Sequence, residues 1–235
     1  MPSQPRFINI LSRVVLASED QIMRDLNELS LLQSGKNLPI SFAEKLPQIV
    51  KSKIIDKASY LLPDYGIIYN GEIVNEPEED RFVVLNILPE VKNLIRSLPF
   101  VSCSAFIANI DQKLSIKNID AALLFLPAFN KILWADSEAG AFFENRKLKT
   151  SQVSEIERAN ICDRTKQIGL NFDSTSYEIS LISEAKLDFY QSGYSNEFDF
   201  KAAEYIANLA GAVTFVDSKN KIVKIAANKE LFDKF

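Results

Sequence analysis

The segment Asp199-Phe-Lys-Ala-Ala-Glu-Tyr-Ile-Ala-Asn-Leu-Ala-Gly-Ala212 carries the most information about the architecture. Its alanine-rich, amphipathic pattern predicts a helix from Phe198 to Leu209. Asp199 then stands at the helix start, where free backbone N–H groups stabilise an anion. Helix capping alone would account for an aspartate there. Working outward, apolar runs predict strands at Leu187–Gln191, Val213–Asp217 and Lys221–Ala226, then a closing helix, with a strand near Ala159–Cys162 and a helix near Ser176–Glu184 further upstream. The first half begins with two helices, Phe7–Leu29 and a second from the capping-box signature Ser41-Phe-Ala-Glu44 or from Pro47 to Leu62; Pro47 suits a first turn better than an interior. Pro63-Asp-Tyr-Gly66 stops that helix. Short strands follow at Ile67–Asn70, Phe82–Ile87, Val101–Ile110, Ala121–Leu126, Lys131–Ala135 and Ala141–Glu144, with a short helix from Pro89 to Ile95. Helices, a strand run and then alternation argue for a layered α/β chain.

Composition narrows the chemistry. The 235 residues include no histidine, so Ser-His-Asp triads, Cys-His pairs and His-ligated zinc are excluded. Glycine is scarce, 7 residues in all, leaving little material for backbone phosphate loops. Lys+Arg 27 against Asp+Glu 31 gives a net charge of -4, no electrostatic signature of a nucleic-acid or membrane-surface binder. Cys103 and Cys162 show no metal-ligand spacing, and Asn109 and Ile168 stand where a Cys-x5-Arg phosphatase loop needs arginine. These thiols suit a reducing compartment and, with no run of eighteen apolar residues, a cytoplasmic protein. Arg13 interrupts the first apolar stretch, which reads as an amphipathic helix rather than a leader. Gly66 and Gly71 have P-loop spacing, but Glu72-Ile73 replaces Lys-Ser/Thr. The acidic run Glu76, Glu78, Glu79, Asp80 reads as a solvated loop, and Trp134, Phe125 and Phe129 read as packing.

The segment from Asp199 to Ala212 resembles the C-terminal signature of the inositol monophosphatase family, Trp-Asp-x-Ala-Ala followed by Ala-Gly-Gly. Leu187-Asp-Phe-Tyr190, Gly140-Ala-Phe-Phe-Glu-Asn145, Pro99-Phe-Val-Ser-Cys-Ser104 and Pro63-Asp-Tyr-Gly-Ile-Ile68 resemble further family strands in the same order. The opening helices fit the bacterial branch that includes the extragenic suppressor SuhB. The resemblance implies one domain over residues 1–235 with a layered αβαβα sandwich, an α+β part to about residue 150 and an α/β part beyond it. It also implies Mg2+ held by acids from a Glu-Glu pair, an Asp-Pro-Ile-Asp-Gly-Thr motif and the signature aspartate.

Most of those acids are absent. The Glu-Glu pair falls on Asn70-Gly71, and the second motif falls on Asn86-Ile-Leu-Pro-Glu-Val91, so Asn86, Pro89, Glu90 and Val91 replace ligands or their neighbours. The family's acidic sugar contact falls at Ser192, its Gly-rich substrate turn at Asp173-Ser-Thr-Ser176, and Asn93 matches a family asparagine. An early acidic motif falls near Glu44 to Pro47. Asp199 is the carried-over metal ligand, with Glu72 and Glu90 as substitutes; Mg2+ needs several converging oxygens, so its binding is expected to be weak and not required. The expectation is an inactive or very weak phosphatase kept as a binding, regulatory or scaffold protein, a homodimer with a partner in the transcription machinery. The alternative is an active phosphomonoesterase using Asp199, Glu72, Glu90 and Asp188, although Asp188 reads as a solvent-facing strand end. Binding of a phosphorylated small molecule without turnover is a third reading.

Overall fold

The strand Arg81–Ile87 shows how the chain divides its side chains between layers. Successive side chains point to opposite faces, so Phe82 and Val84 join one core while Val83, Leu85 and Ile87 join another. The chain is described by a computed structural model covering residues 4–34, 38–77 and 79–235. Its first sheet comprises β1 (Gly66–Tyr69), β2 (Glu72–Asn75), β3 (Arg81–Ile87), β4 (Cys103–Ile110), β5 (Ile116–Leu126), β6 (Lys131–Asp136), β7 (Gly140–Phe143) and β8 (Arg146–Lys147). These eight strands lie in the order β2-β1-β3-β4-β5-β6-β7-β8. β1 and β3 pair in parallel, and the other neighbours are antiparallel.

Helices α1 (Arg6–Val15), α2 (Glu19–Leu31) and α3 (Leu38–Leu61) cover one face, where Leu11, Val14, Leu46, Val50 and Ile54 join Leu85, Ile107 and Leu123. The short α4 (Val91–Ile95) follows β3. On the other face lie α5 (Thr175–Ser183) and α6 (Phe198–Ala210), whose Ile179, Ile182, Ala203 and Ile206 join Val84, Phe106 and Leu124. The same two helices cover a second sheet of β9 (Ile161–Asp163), β10 (Ile168–Gly169), β11 (Phe189–Gly193), β12 (Val213–Asp217) and β13 (Ile222–Ala226), in the order β10-β9-β11-β13-β12. Its far face carries α7 (Lys229–Phe232), where Leu231 is buried with Phe189 and Ala226. Helices, sheet, helices, sheet and helix make the expected layered αβαβα sandwich of α/β class. No helix among the described residues is long and apolar enough to cross a membrane.

Several boundaries differ from the sequence expectation. The first helix is two, because a 3-10 turn at Leu16–Ser18 redirects the chain before the acidic first turn of α2. Pro47 lies inside α3. An interior proline costs about 3 kcal/mol or more, but Leu46, Val50 and Ile54 are fully buried or nearly so on one continuous stripe, and each such burial contributes roughly 1.5–3 kcal/mol. Packing therefore outweighs the proline. β2 was not anticipated: Asn70-Gly71 is a two-residue hairpin turn with φ of 47° and 84°, the positive pair that favours Asn-Gly in such loops. Asp188 is buried at 4% exposure, not solvent-facing, because its Oδ2 accepts the Asn160 N–H at 2.7 Å. Both cysteines and Trp134 are buried, and Glu76, Glu79 and Asp80 are exposed; Glu78 lies outside the described residues. α6 ends at Gly211, whose φ of 114° closes the helix in a conformation glycine adopts without strain.

Candidate functional site

The site is assembled where β1 and β3 end beside the start of α6. Asn70 leaves β1 with its N–H on the Leu85 carbonyl. Its side chain clasps one residue of the next strand: Oδ1 accepts the Ile87 N–H at 2.7 Å and Nδ2 donates to the Ile87 carbonyl at 3.1 Å. An amide imitates a neighbouring strand here, extending the parallel pairing by one residue. A carboxylate could accept one of these bonds but has no proton for the other.

Asn86 shares the face of β3 that carries Phe82 and Val84, the α6 side, and is 3% exposed. Its Nδ2 donates toward the Asp199 carbonyl at 3.5 Å. Asp199 is half-buried in the first turn of α6, and the Ser176 hydroxyl of α5 donates to its carbonyl at 2.8 Å. Burial pushes the Asp199 carboxyl above the ordinary carboxylate range, and the Asn86 amide opposes that shift. The Asp199 carboxyl thus lies beside a neutral amide.

Glu72 occupies the opposite side. It stands across the hairpin from Tyr69, which is buried among α1–α3, so the pleat directs Glu72 away from α6. Its carboxylate is 75% exposed and 3.4 Å from Lys51 of α3. Gly71, where the second acid of the family's pair falls, has φ of 84°, and a Cβ there would meet Asn196 Nδ2 at 2.5 Å. A glutamate there would be strained by that left-handed φ and would displace the Asn196 side chain.

The remaining sequence-predicted positions join the neighbouring loop. Leu88 takes a left-handed φ of 51° while buried, a costly conformation for leucine that preserves the bend of the loop. Pro89 offers no ligand and is half-buried, and Val91 begins α4. Glu90 is buried: Oε1 accepts the hydroxyls of Ser102 at 2.6 Å and Ser174 at 2.7 Å, and Oε2 accepts the Ser102 N–H at 2.9 Å. Burial pushes its acid up to about 7 against those hydrogen bonds. Asn93 Nδ2 donates to the carbonyls of Phe100 at 2.7 Å and Phe172 at 2.9 Å. Together Glu90 and Asn93 tie the start of the segment that falls on the family's substrate turn to α4. Ser192, on β11, is buried, with its hydroxyl on the Gly193 carbonyl at 3.0 Å.

A buried ion pair that no sequence motif marks lies beneath that turn. Arg164 lies 2.6 Å from Glu178, which is fully buried and also accepts the Phe172 N–H at 2.6 Å. Burial pushes Glu178 upward, and Arg164 opposes it. Neither residue belongs to a motif, and their loop and helix meet only in the folded chain. Among the described residues no three His, Cys, Asp or Glu side chains form a set able to hold a metal. The family's Mg2+ would meet one carboxyl, two engaged amides and a proline, which does not fit a hard cation's need for several converging oxygens.

No family profile matches the chain. The fructose-1,6-bisphosphatase/inositol-1-monophosphatase of Thermotoga maritima is 23% identical over 177 residues, 68% of this chain and 65% of that protein. The Nus factor SuhB of Xylella fastidiosa is 21% identical over 150 residues, 63% of this chain and 52% of that protein. The matched segments therefore span less than two thirds of these relatives' own lengths. The crystal structure of the extragenic suppressor protein SuhB from Bartonella henselae superposes with a TM-score of 0.81 at 15% identity, covering 98% of this chain and 97% of that one. The sequence similarities and the shared fold agree: the chain is similar in sequence to an inositol monophosphatase and to SuhB, and it has their fold.

Proposed function

We infer that the chain is a non-catalytic member of its family, keeping the phosphatase frame as a homodimeric binding or regulatory protein. The clasp of Asn70 on Ile87 carries this reading. An acid position of the family's metal site is filled by an amide whose two polar ends are both committed to backbone, so it is no longer a free ligand. Asn86 and Gly71 support it, one as a neutral neighbour of Asp199 and the other as a left-handed position where an acid would be strained. The name of the Xylella relative, a Nus factor, favours a partner in the transcription machinery. Self-association is favoured by the apolar surface beside α4, where Leu98 is 43% and Phe129 44% exposed.

The test is calorimetric titration of the purified full chain with Mg2+, together with phosphate release from inositol and sugar phosphates. Neither binding heat nor Mg2+-dependent release is expected. Release that requires Mg2+ and disappears in Asp199→Asn would refute the reading. Asn70→Ala leaves the Ile87 groups without partners and should destabilise the fold by about 1–3 kcal/mol, read by urea unfolding.

A further inference from the structure

A second cleft lies on the outer helical layer. Arg13, Leu16, Ala17, Lys53, Asp56, Lys57 and Tyr60 line a cavity of about 520 Å3 between the end of α1 and the C-terminal part of α3. The break between α1 and α2 shapes it, because the 3-10 turn brings Leu16 and Ala17 to the wall. On α3, Lys53, Asp56, Lys57 and Tyr60 fall at i, i+3, i+4 and i+7, one face of the helix. Arg13, Lys53 and Lys57 have no ion-pair or hydrogen-bond partner among the described residues. Lys53 and Lys57 are a like-charged i, i+4 pair, an arrangement that weakens a helix unless something neutralises it. Tyr60 lines the same cleft and is 77% exposed, leaving most of its ring surface free for a ligand.

We propose that this cleft docks an acidic polypeptide segment carrying an apolar side chain. Carboxylates would meet Arg13, Lys53 and Lys57, and the apolar side chain would lie on Leu16 and Ala17 beneath Tyr60. Tyrosine and arginine are the residue types that most often anchor such interfaces. Three cations against one acid attract an anionic partner, while Asp56 in their midst and the apolar wall favour a mixed acidic and apolar peptide over the continuous charge of a nucleic-acid backbone. The cleft lies on the α1–α3 layer, across the sheet from α6, and the proposal does not rest on the reading of the Asp199 site. A protein with residual phosphatase activity would carry the same surface.

The experiment uses the full chain and a fluorescent synthetic peptide of glutamates interspersed with leucines, followed by anisotropy. Binding is expected to weaken with added salt and to be absent for the peptide with lysine in place of glutamate. Lys53→Glu combined with Lys57→Glu, and separately Tyr60→Ala, should each weaken it about tenfold or more. If the double reversal does not fold, Lys53→Gln with Lys57→Gln should show a smaller loss in the same direction. No binding, equal binding of the lysine peptide, or indifference to all these variants would overturn the proposal. So would a single-stranded RNA oligonucleotide that binds as tightly and with the same sensitivity to the variants.

Discussion

At position 70 an amide does what a carboxylate cannot, accepting from one backbone group of Ile87 and donating to the other. Asn86 is neutral beside Asp199, and Glu90 shows a third outcome, an acid at the motif's glycine position that is buried under hydroxyls. Its folded value, about 7, lies above its ordinary 4.5. The native state therefore holds the Glu90 proton more tightly than the unfolded chain. This stabilisation is fully present below pH 4.5 and is lost as the pH rises through about 7. Glu90→Gln should remove that component, because a glutamine can accept from the Ser102 N–H and donate to the serine hydroxyls. Denaturant unfolding from pH 5 to pH 8 should show the wild type losing up to roughly 3 kcal/mol more stability than the variant. Equal slopes would mean that Glu90 is ionised throughout. That Asn70 and Asn86 replace acids is legible from the resemblance; the partners that satisfy them are not, because Ile87 and Asp199 reach them only through sheet pairing and helix packing.

Elements were legible where one local rule acted alone. The nearly unbroken apolar run of β3, buried on both faces, and the alanine-rich face of α6 are examples, since each pattern is complete within a few residues. Elements were less legible where two rules compete. Asn70-Gly71 falls on a family motif, while its turn chemistry favours a hairpin. Pro47 suits a first turn, although the stripe Ala43, Leu46, Val50, Ile54 continues through it. α3 therefore carries a local penalty that tertiary packing outweighs. Pro47→Ala restores an N–H for the Ala43 carbonyl and removes the ring clash, and it should raise the midpoint of thermal unfolding, with helical circular dichroism kept or increased. A lowered midpoint would show that the ring's own burial contributes more than the missing hydrogen bond. The carbonyl of residue 47, which accepts the Tyr69 hydroxyl at 2.5 Å, remains in that variant.

Across the molecule, the apolar positions Leu98, Phe100, Phe129 and Phe172 gather where α4, the turn after β5 and the segment before α5 meet. Phe100 lies 4.7 Å from Phe172 and 6.4 Å from Phe129, ring centre to ring centre. Leu98 and Phe129 leave this cluster partly uncovered, the condition expected of a face awaiting a second copy. Light scattering coupled to size exclusion should give the mass of a dimer, and Leu98→Glu with Phe129→Glu should give a monomer that unfolds with the same cooperativity. A wild-type monomer at high concentration would remove dimerisation from the proposed function. The layered order was readable from the chain because alternation and helical spacing are local patterns that each element carries within itself. By itself the sequence determined a layered α/β chain, and its resemblance to the family supplied the αβαβα order and the expectation that most of the family's acids are absent. Only the tertiary structure decided which of the remaining acids meet: sheet pleating turns Glu72 from α6 toward Lys51, and Glu90 is held by Ser174, 84 residues away. Such encounters depend on the approach of distant backbone segments, which no local pattern encodes.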